Sequence, residues 1–381
     1  MKNLFDGTTI NGMVLKNRLV RSATWEGMAD ADGRSTAKLA DYYVTLAQGG
    51  VGLIITGYAF ISPEGKQLPG QMGIHADALC PELQILTDAV HRKGGKICLQ
   101  LVHCGGQAST RSAGRQPLAP SAVNVDQYPE VPEELSKENI RELVTAFGEG
   151  ARRARECGFD AVQLHAAHGY LINQFLSPLT NRRTDDWGGD IKGRSRFLIE
   201  CYRSVRAAVG VDFPVLVKLN GSDNLTDGLI LEDALFVARA LAHEGIDAIE
   251  VSSGTPASGR ETPVRQHIDT PEREGYNLSF AVSVKNAVSC PVMVVGGIRS
   301  FAVAEGIITR GEADYIALAR PFIREPGLPL RWQQDDKASS RCISCNGCFK
   351  PGLKGGSSVS SKPSSGKQST FHSEAGSCRS S

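Results

Sequence analysis

The chain has 381 residues, 41% of them hydrophobic and 22% charged, and carries 42 Lys plus Arg against 41 Asp plus Glu. That composition suits a globular enzyme with ample apolar material for a core, and the length allows two or three ordinary domains or one large α/β barrel with an appendage. The balanced charge gives no electrostatic case for nucleic acid or an anionic membrane surface, no apolar run approaches bilayer-spanning length, and residues 1–12 lack the apolar stretch of a secretory signal. The expectation is a cytoplasmic protein with neither nucleic-acid nor membrane partners.

In chain order, eight short runs rich in Val, Ile and Leu read as strands buried on both faces: 19–24, 51–57, 97–103, 161–165, 215–220, 248–252, 292–296 and 315–319. Helical periodicity fills the gaps at 37–48, 81–93, 137–156, 194–209, 232–244, 278–288 and 301–309. Ser136 opens the third helix and Gly158 closes it, while Gly94, Gly210, Gly245 and Gly311 end others. Eight strands alternating with helices predict a (β/α)8 TIM barrel; against an open doubly wound sheet, no GxGxxG follows the first strand. The barrel is expected over residues 1–334, a cysteine-containing extension over 335–354, and a disordered Ser-rich tail over 355–381, whose composition cannot offset its ordering entropy.

The connections after strands one, three, four and six are long and fall at the C-terminal face, where a barrel builds its active site. Strand one ends in Ser22, Ala23 and Thr24, strand two in Thr56 and Gly57, and strand three holds Gln100 and His103. Strand four ends in His165 and runs on to His168 and Tyr170, and strand five ends in Lys218 and Asn220. Gly296 and Gly297 end strand seven, and Ala319 and Arg320 end strand eight. The last two ends read as a phosphate site, with glycines admitting a ligand to the backbone and Arg320 as a bidentate cation. His165 and His168 are either packing residues or N–H donors to a substrate oxygen, with Tyr170 then placed to deliver a proton. Lys218 is a costly buried cation unless an anion pairs with it; a reduced flavin edge and a Schiff base are the rival uses.

Of ten cysteines, Cys80, Cys98, Cys104, Cys157, Cys201, Cys290 and Cys378 are scattered, as buried small hydrophobes of a cytosolic chain would be. Cys342, Cys345 and Cys348 instead make C-x2-C-x2-C, a metal or iron–sulfur spacing.

Six segments carry a resemblance: NRLVRSAT (17–24), GGVGLIITG (49–57), LQLVHCGGQA (99–108), VQLHAAHGYLINQFLSPLTNRRTDDWGG (162–189), VGGI (295–298) and ALARPFIREP (317–326). They resemble the Old Yellow Enzyme family of flavin-dependent NAD(P)H oxidoreductases, over residues 4 to 351. The resemblance implies an FMN-binding TIM barrel. In it Ser22, Ala23 and Thr24 line the flavin, Gly57 and Gln100 contact its ring, and Lys218 stands at its N1–O2 edge. Gly296, Gly297, Ala319 and Arg320 hold the phosphate end, His165 and His168 grip a substrate oxygen, and Tyr170 protonates the α-carbon. The implied reaction passes hydride from NADH or NADPH through FMN to the β-carbon of a small molecule with an activated alkene, and the family often forms symmetric homo-oligomers.

The segment RCISCNGCFKPG (341–352) resembles the cluster-binding stretch of the dienoyl-CoA reductase and trimethylamine dehydrogenase subgroup, where a fourth cysteine follows and a [4Fe–4S] cluster is bound. Here only Cys378 follows, far down the Ser-rich tail. Either Cys378 loops back as the fourth ligand or the cluster is absent or incomplete, the second reading being preferred. The tail resembles nothing in the family, and a reading-frame change near Gly355 and Gly356 would account for it. The longer relatives carry a second nucleotide-binding module after the cluster, so direct reduction of FMN by NAD(P)H is the simpler route here. The rival functions are an iron–sulfur-linked flavin dehydrogenase, an inactive flavin-binding protein, and a non-redox phosphate-binding lyase using Lys218.

Overall fold

A computed structural model describes residues 2–350. Eight parallel strands close on themselves: β1 (Leu19–Arg21), β2 (Leu53–Ile55), β3 (Ile97–Val102), β4 (Ala161–Ala166), β5 (Val215–Asn220), β6 (Ala248–Ser252), β7 (Val292–Val295) and β8 (Tyr315–Leu318). Each pairs with the next in sequence, β8 pairs with β1, and the ring is complete. A helix follows each of the first seven strands, α1 (Ala37–Gln48), α2 (Cys80–His91), α3 (Lys137–Glu156), α4 (Ile191–Val209), α5 (Leu231–Glu244), α6 (Leu278–Ala287) and α7 (Phe301–Thr309), and two short helices, Arg320–Arg324 and Leu328–Gln333, follow β8. This is the expected TIM barrel. Among the described residues no helix is long and apolar enough to cross a membrane.

Outward residues such as Val162, Leu164, Val217, Ile249 and Ile316 pack under the helices. Inward residues alternate with them, as a pleated strand requires. The first inward layer, with Cys98, Ala161, Leu216, Ala248 and Met293, is apolar, and Ile10, Met13 and Leu15 of an N-terminal hairpin plug it from below. Two residues further along, the inward positions become Gln100, Gln163, Lys218 and Glu250, all buried. The outer face is apolar too, which is why the strands read as unbroken hydrophobic runs.

Several expected strands overrun the ladder at their C-terminal ends. The backbone leaves the ladder there to build the site; Ser22, just past β1, still donates its N–H to Leu318 O at 3.0 Å. Helix α4 starts three residues before the expected 194 because Asp190 caps it, its carboxylate accepting from Gly193 N at 3.0 Å. Helix α3 has the predicted limits: Ser136 Oγ accepts from Asn139 N at 3.1 Å, and Gly158 follows its end at φ 84°.

One cysteine expectation is corrected. Cys98, Cys104 and Cys201 are buried free thiols, but Cys80 and Cys157 form a disulfide across 77 residues. Cys80 opens α2 and Cys157 ends α3, and the fold brings those two ends to a Cα separation of 5.4 Å. Position 378 and the proposed frame change lie outside the described residues.

Candidate active site

The C-terminal mouth of the barrel opens on a cavity of 370 Å³. Its walls include Ser22, Ala23, Thr24, Lys218, Gly297 and, at one end, Ala319 with Arg320. His165, His168 and Tyr170 share the same space. Of the sequence candidates, Gly57, Gln100 and Gly296 are not among the lining residues. Gly57 donates its N–H to Glu26 Oε1 at 3.1 Å and a Cβ there would collide with that carboxylate. Gln100 Nε2 donates to Gln163 Oε1 at 2.7 Å, leaving its own Oε1 buried without a partner. Gly296 O accepts from the N–H groups of Gly275 and Tyr276 at 2.7 and 3.1 Å.

The HAAHGY segment folds into a compact cluster because the chain turns sharply past β4. His168 takes a left-handed φ of 62°, and Asn173 Oδ1 receives the N–H of Gly169 at 2.6 Å. The rings of His165 and His168 lie edge to face at 5.1 Å, and those of His165 and Tyr170 at 4.8 Å. Burial, reinforced by the Lys218 charge, holds both imidazoles well below their ordinary pKa, so both are neutral at pH 7. His165 Nδ1 accepts from Ala167 N at 3.3 Å, which puts its proton on Nε2. His168 Nε2 lies 2.7 Å from Ser252 Oγ; with the hydroxyl donating, the proton of that ring sits on Nδ1. Each ring keeps one N–H for a ligand oxygen.

Burial also pushes the Tyr170 phenol well above its ordinary pKa, so it stays protonated. It donates to Gln67 Oε1 at 3.0 Å, and Tyr58 OH reaches the same oxygen at 3.4 Å. Tyr58, Gln67, Leu68 and Trp25 complete this wall. Sequence reading missed these four because they sit on long connections without a motif; the connection after β2, spanning 56–79, was not counted among the long ones.

The opposite end is cationic. Arg320 Nη1 donates to Arg265 O and to Asn346 Oδ1, both at 2.7 Å, and Arg299 lines the cavity with its Nε buried and unpartnered. Gly297 has φ 71°, and a Cβ there would press on the Tyr276 ring at 2.8 Å. An elongated ligand with a phosphate at one end and a charge-accepting ring at the other fits these donors: Arg299, Arg320 and Gly297 for the anion, Lys218 for the ring.

The cysteine segment crosses this cationic end. Ser344 and Phe349 line the cavity, and Gln266 Nε2 donates to Cys345 O at 3.2 Å. Cys345 is exposed while Cys342 and Cys348 are half-buried. Among the described residues no three His, Cys, Asp or Glu side chains converge as metal ligands. The chemistry below routes no step through a cluster.

Residues 3–338 match the NADH:flavin oxidoreductase / NADH oxidase family. The NADH oxidase of Thermoanaerobacter brockii is 37% identical over 353 residues, 91% of this chain and 53% of that protein. The chain spans about half the length of the first curated relatives it matches. Among solved structures, a 2-naphthoyl-CoA reductase in complex with 2-naphthoyl-CoA superposes with TM-score 0.86 at 29% identity, covering 93% of this chain and 56% of that one. The old yellow enzyme homologue from Zymomonas mobilis superposes with TM-score 0.77 at 29% identity, covering 90% and 95%.

Proposed function

Because this chain belongs to the NADH:flavin oxidoreductase / NADH oxidase family, we propose that its barrel holds FMN and reduces activated C=C bonds of small molecules with NADH or NADPH. The observation that carries this reading is the mouth itself: two neutral imidazoles, a protonated phenol and a lysine share one cavity with an arginine-lined end.

When bound, FMN supplies two-electron hydride chemistry between the nicotinamide and the alkene. The chain supplies the rest. His165 Nε2–H and His168 Nδ1–H donate to the carbonyl oxygen of an enone or enoyl substrate and stabilise the negative charge that grows there. Neutral rings suit this task because they hold an oxygen without protonating it. Tyr170 turns its hydroxyl from Gln67 to the α-carbon and delivers a proton. Tyr58, Leu68 and Trp25 give that end apolar walls that exclude water. Arg320, Arg299 and Gly297 would hold the cofactor phosphate, and Lys218 would stand at its ring. The similarity to a reductase crystallised with 2-naphthoyl-CoA supports a conjugated carbonyl compound as substrate. A cytoplasmic homo-oligomer completes the reading.

The test is the visible spectrum of anaerobically purified protein, with identification of the released chromophore and assay of NAD(P)H oxidation with an enone. The expected outcome is releasable FMN, bleached by NAD(P)H and reoxidised by the enone. A colourless protein that takes up no added FMN would overturn the proposal.

A further inference from the structure

The barrel interior holds a charge pair, Lys218 with Glu250, whose acidic member the alkene chemistry leaves unused. Lys218 on β5 and Glu250 on β6 are register partners, so their side chains enter the barrel side by side. Lys218 Nζ lies 3.0 Å from Glu250 Oε1, and the side chains are 3% and 0% exposed. Ser22 Oγ donates to the same oxygen at 2.5 Å and accepts from Lys218 Nζ at 2.8 Å. The other carboxylate oxygen, Oε2, accepts from Gln163 Nε2 at 2.9 Å, and Gln163 in turn accepts from Gln100. Both oxygens of Glu250 are therefore fixed by protein donors. Lys218 and Ser22 line the cavity, and Glu250 stands behind them.

A ligand in the cavity accordingly meets not a free cation but the positive end of a neutral pair. Resting on the FMN reading above, we infer that Glu250 is a positioning residue that offsets Lys218 and so sets the reduction potential of the bound flavin. The physical reason is charge balance. Uptake of two electrons and one proton adds a negative charge to the flavin, which an unopposed buried cation favours strongly and a neutral pair favours weakly.

The experiment is an equilibrium reductive titration of FMN-loaded enzyme against a reference dye, after measuring flavin content. Glu250→Gln keeps the shape but leaves Lys218 unopposed. It is expected to shift the reduced-to-oxidised ratio about tenfold toward reduced flavin, ~30 mV for a two-electron couple. Lys218→Met should shift it about tenfold the other way, and Lys218→Met with Glu250→Gln should return it to within about threefold of the unmodified enzyme. An unmoved or lowered potential in Glu250→Gln overturns the inference. So does a double variant whose potential is as low as that of Lys218→Met. Should Glu250→Gln fail to keep FMN, the double variant decides alone, since it leaves no buried charge unpaired. Unmodified protein that binds no FMN sinks the cofactor reading and this inference together; unmodified protein that binds FMN, with variants of unmoved potential, sinks only the role of Glu250.

Discussion

The floor and the mouth of this barrel are built from the same strands with opposite chemistry. On β5 the inward residues run Leu216, Lys218, Asn220, and on β6 they run Ala248, Glu250, Ser252. On β4 they run Ala161, Gln163, His165. At the floor, apolar side chains meet the N-terminal hairpin in a dry plug, where burial itself is the stabilising term. At the mouth, the same backbone presents buried amides, a charge pair and imidazoles, groups that cost free energy to desolvate and gain it back only through partners or a ligand. The floor adds to the apolar core that the strands share with the helices, and the mouth exposes to a cavity the groups that are costly to bury.

The sharpest way to break that contrast is at Tyr170. Tyr170→Phe should slow alkene reduction about 10²–10⁴-fold while leaving flavin reduction by NAD(P)H nearly unchanged, as read by stopped-flow absorbance of each half-reaction. Equal slowing of both halves would remove Tyr170 as proton donor. Next in size, His165→Ala with His168→Ala should weaken phenol binding about 10²–10³-fold with FMN retained, measured by ligand-induced change in the flavin spectrum. Unchanged phenol affinity would return the pair to a packing role.

The floor should respond in the other currency. Leu216→Ala is expected to cost about 3 kcal/mol in urea unfolding while the rate per folded, flavin-loaded molecule stays as it was. A specific loss of rate would mean that the two regions are coupled.

The smallest effect per residue and per pH unit is the pH dependence of stability. Burial pushes His103 down to about 4, and His165 and His168 are lowered in the same direction. Between pH 6.5 and each lowered value the unfolded chain binds the extra proton and the folded chain does not. Stability should therefore fall as the pH drops below about 6.5, by about 1.4 kcal/mol per pH unit for each histidine. Urea midpoints that stay level from pH 7 to 5 would show that these imidazoles take up protons in the folded protein as readily as in the unfolded chain.

How much of this was legible in the sequence differs between the regions. The eight strands and the helices between them were readable, since each is a local pattern of a few residues; the His165–His168–Tyr170 segment stood out locally too, but pattern left packing and oxygen binding both open, and its role came from the family resemblance. Glu250 carried a signal that went unused: a lone acid inside an apolar run destined for burial must have a partner. That partner could not be named, because Lys218 lies 32 residues away and meets Glu250 only through the register of β5 against β6. Gln67, Tyr58 and Trp25 gave no signal at all; they reach the mouth through loop paths that no periodicity encodes.

The cysteines divide in the same way. The spacing of Cys342, Cys345 and Cys348 was plain, yet only the fold shows the segment lying across the cationic end, with Asn346 on Arg320 and the thiols unconverged. The bond between Cys80 and Cys157 likewise awaited the approach of two helix ends. The sequence by itself determined the barrel, its eight-fold order and the residue types that stand at the strand ends, because alternation, capping and turn residues act over one or two turns of chain. The tertiary structure alone decided which of those groups face one another, since a closed parallel barrel joins residues that are near in register and far in sequence.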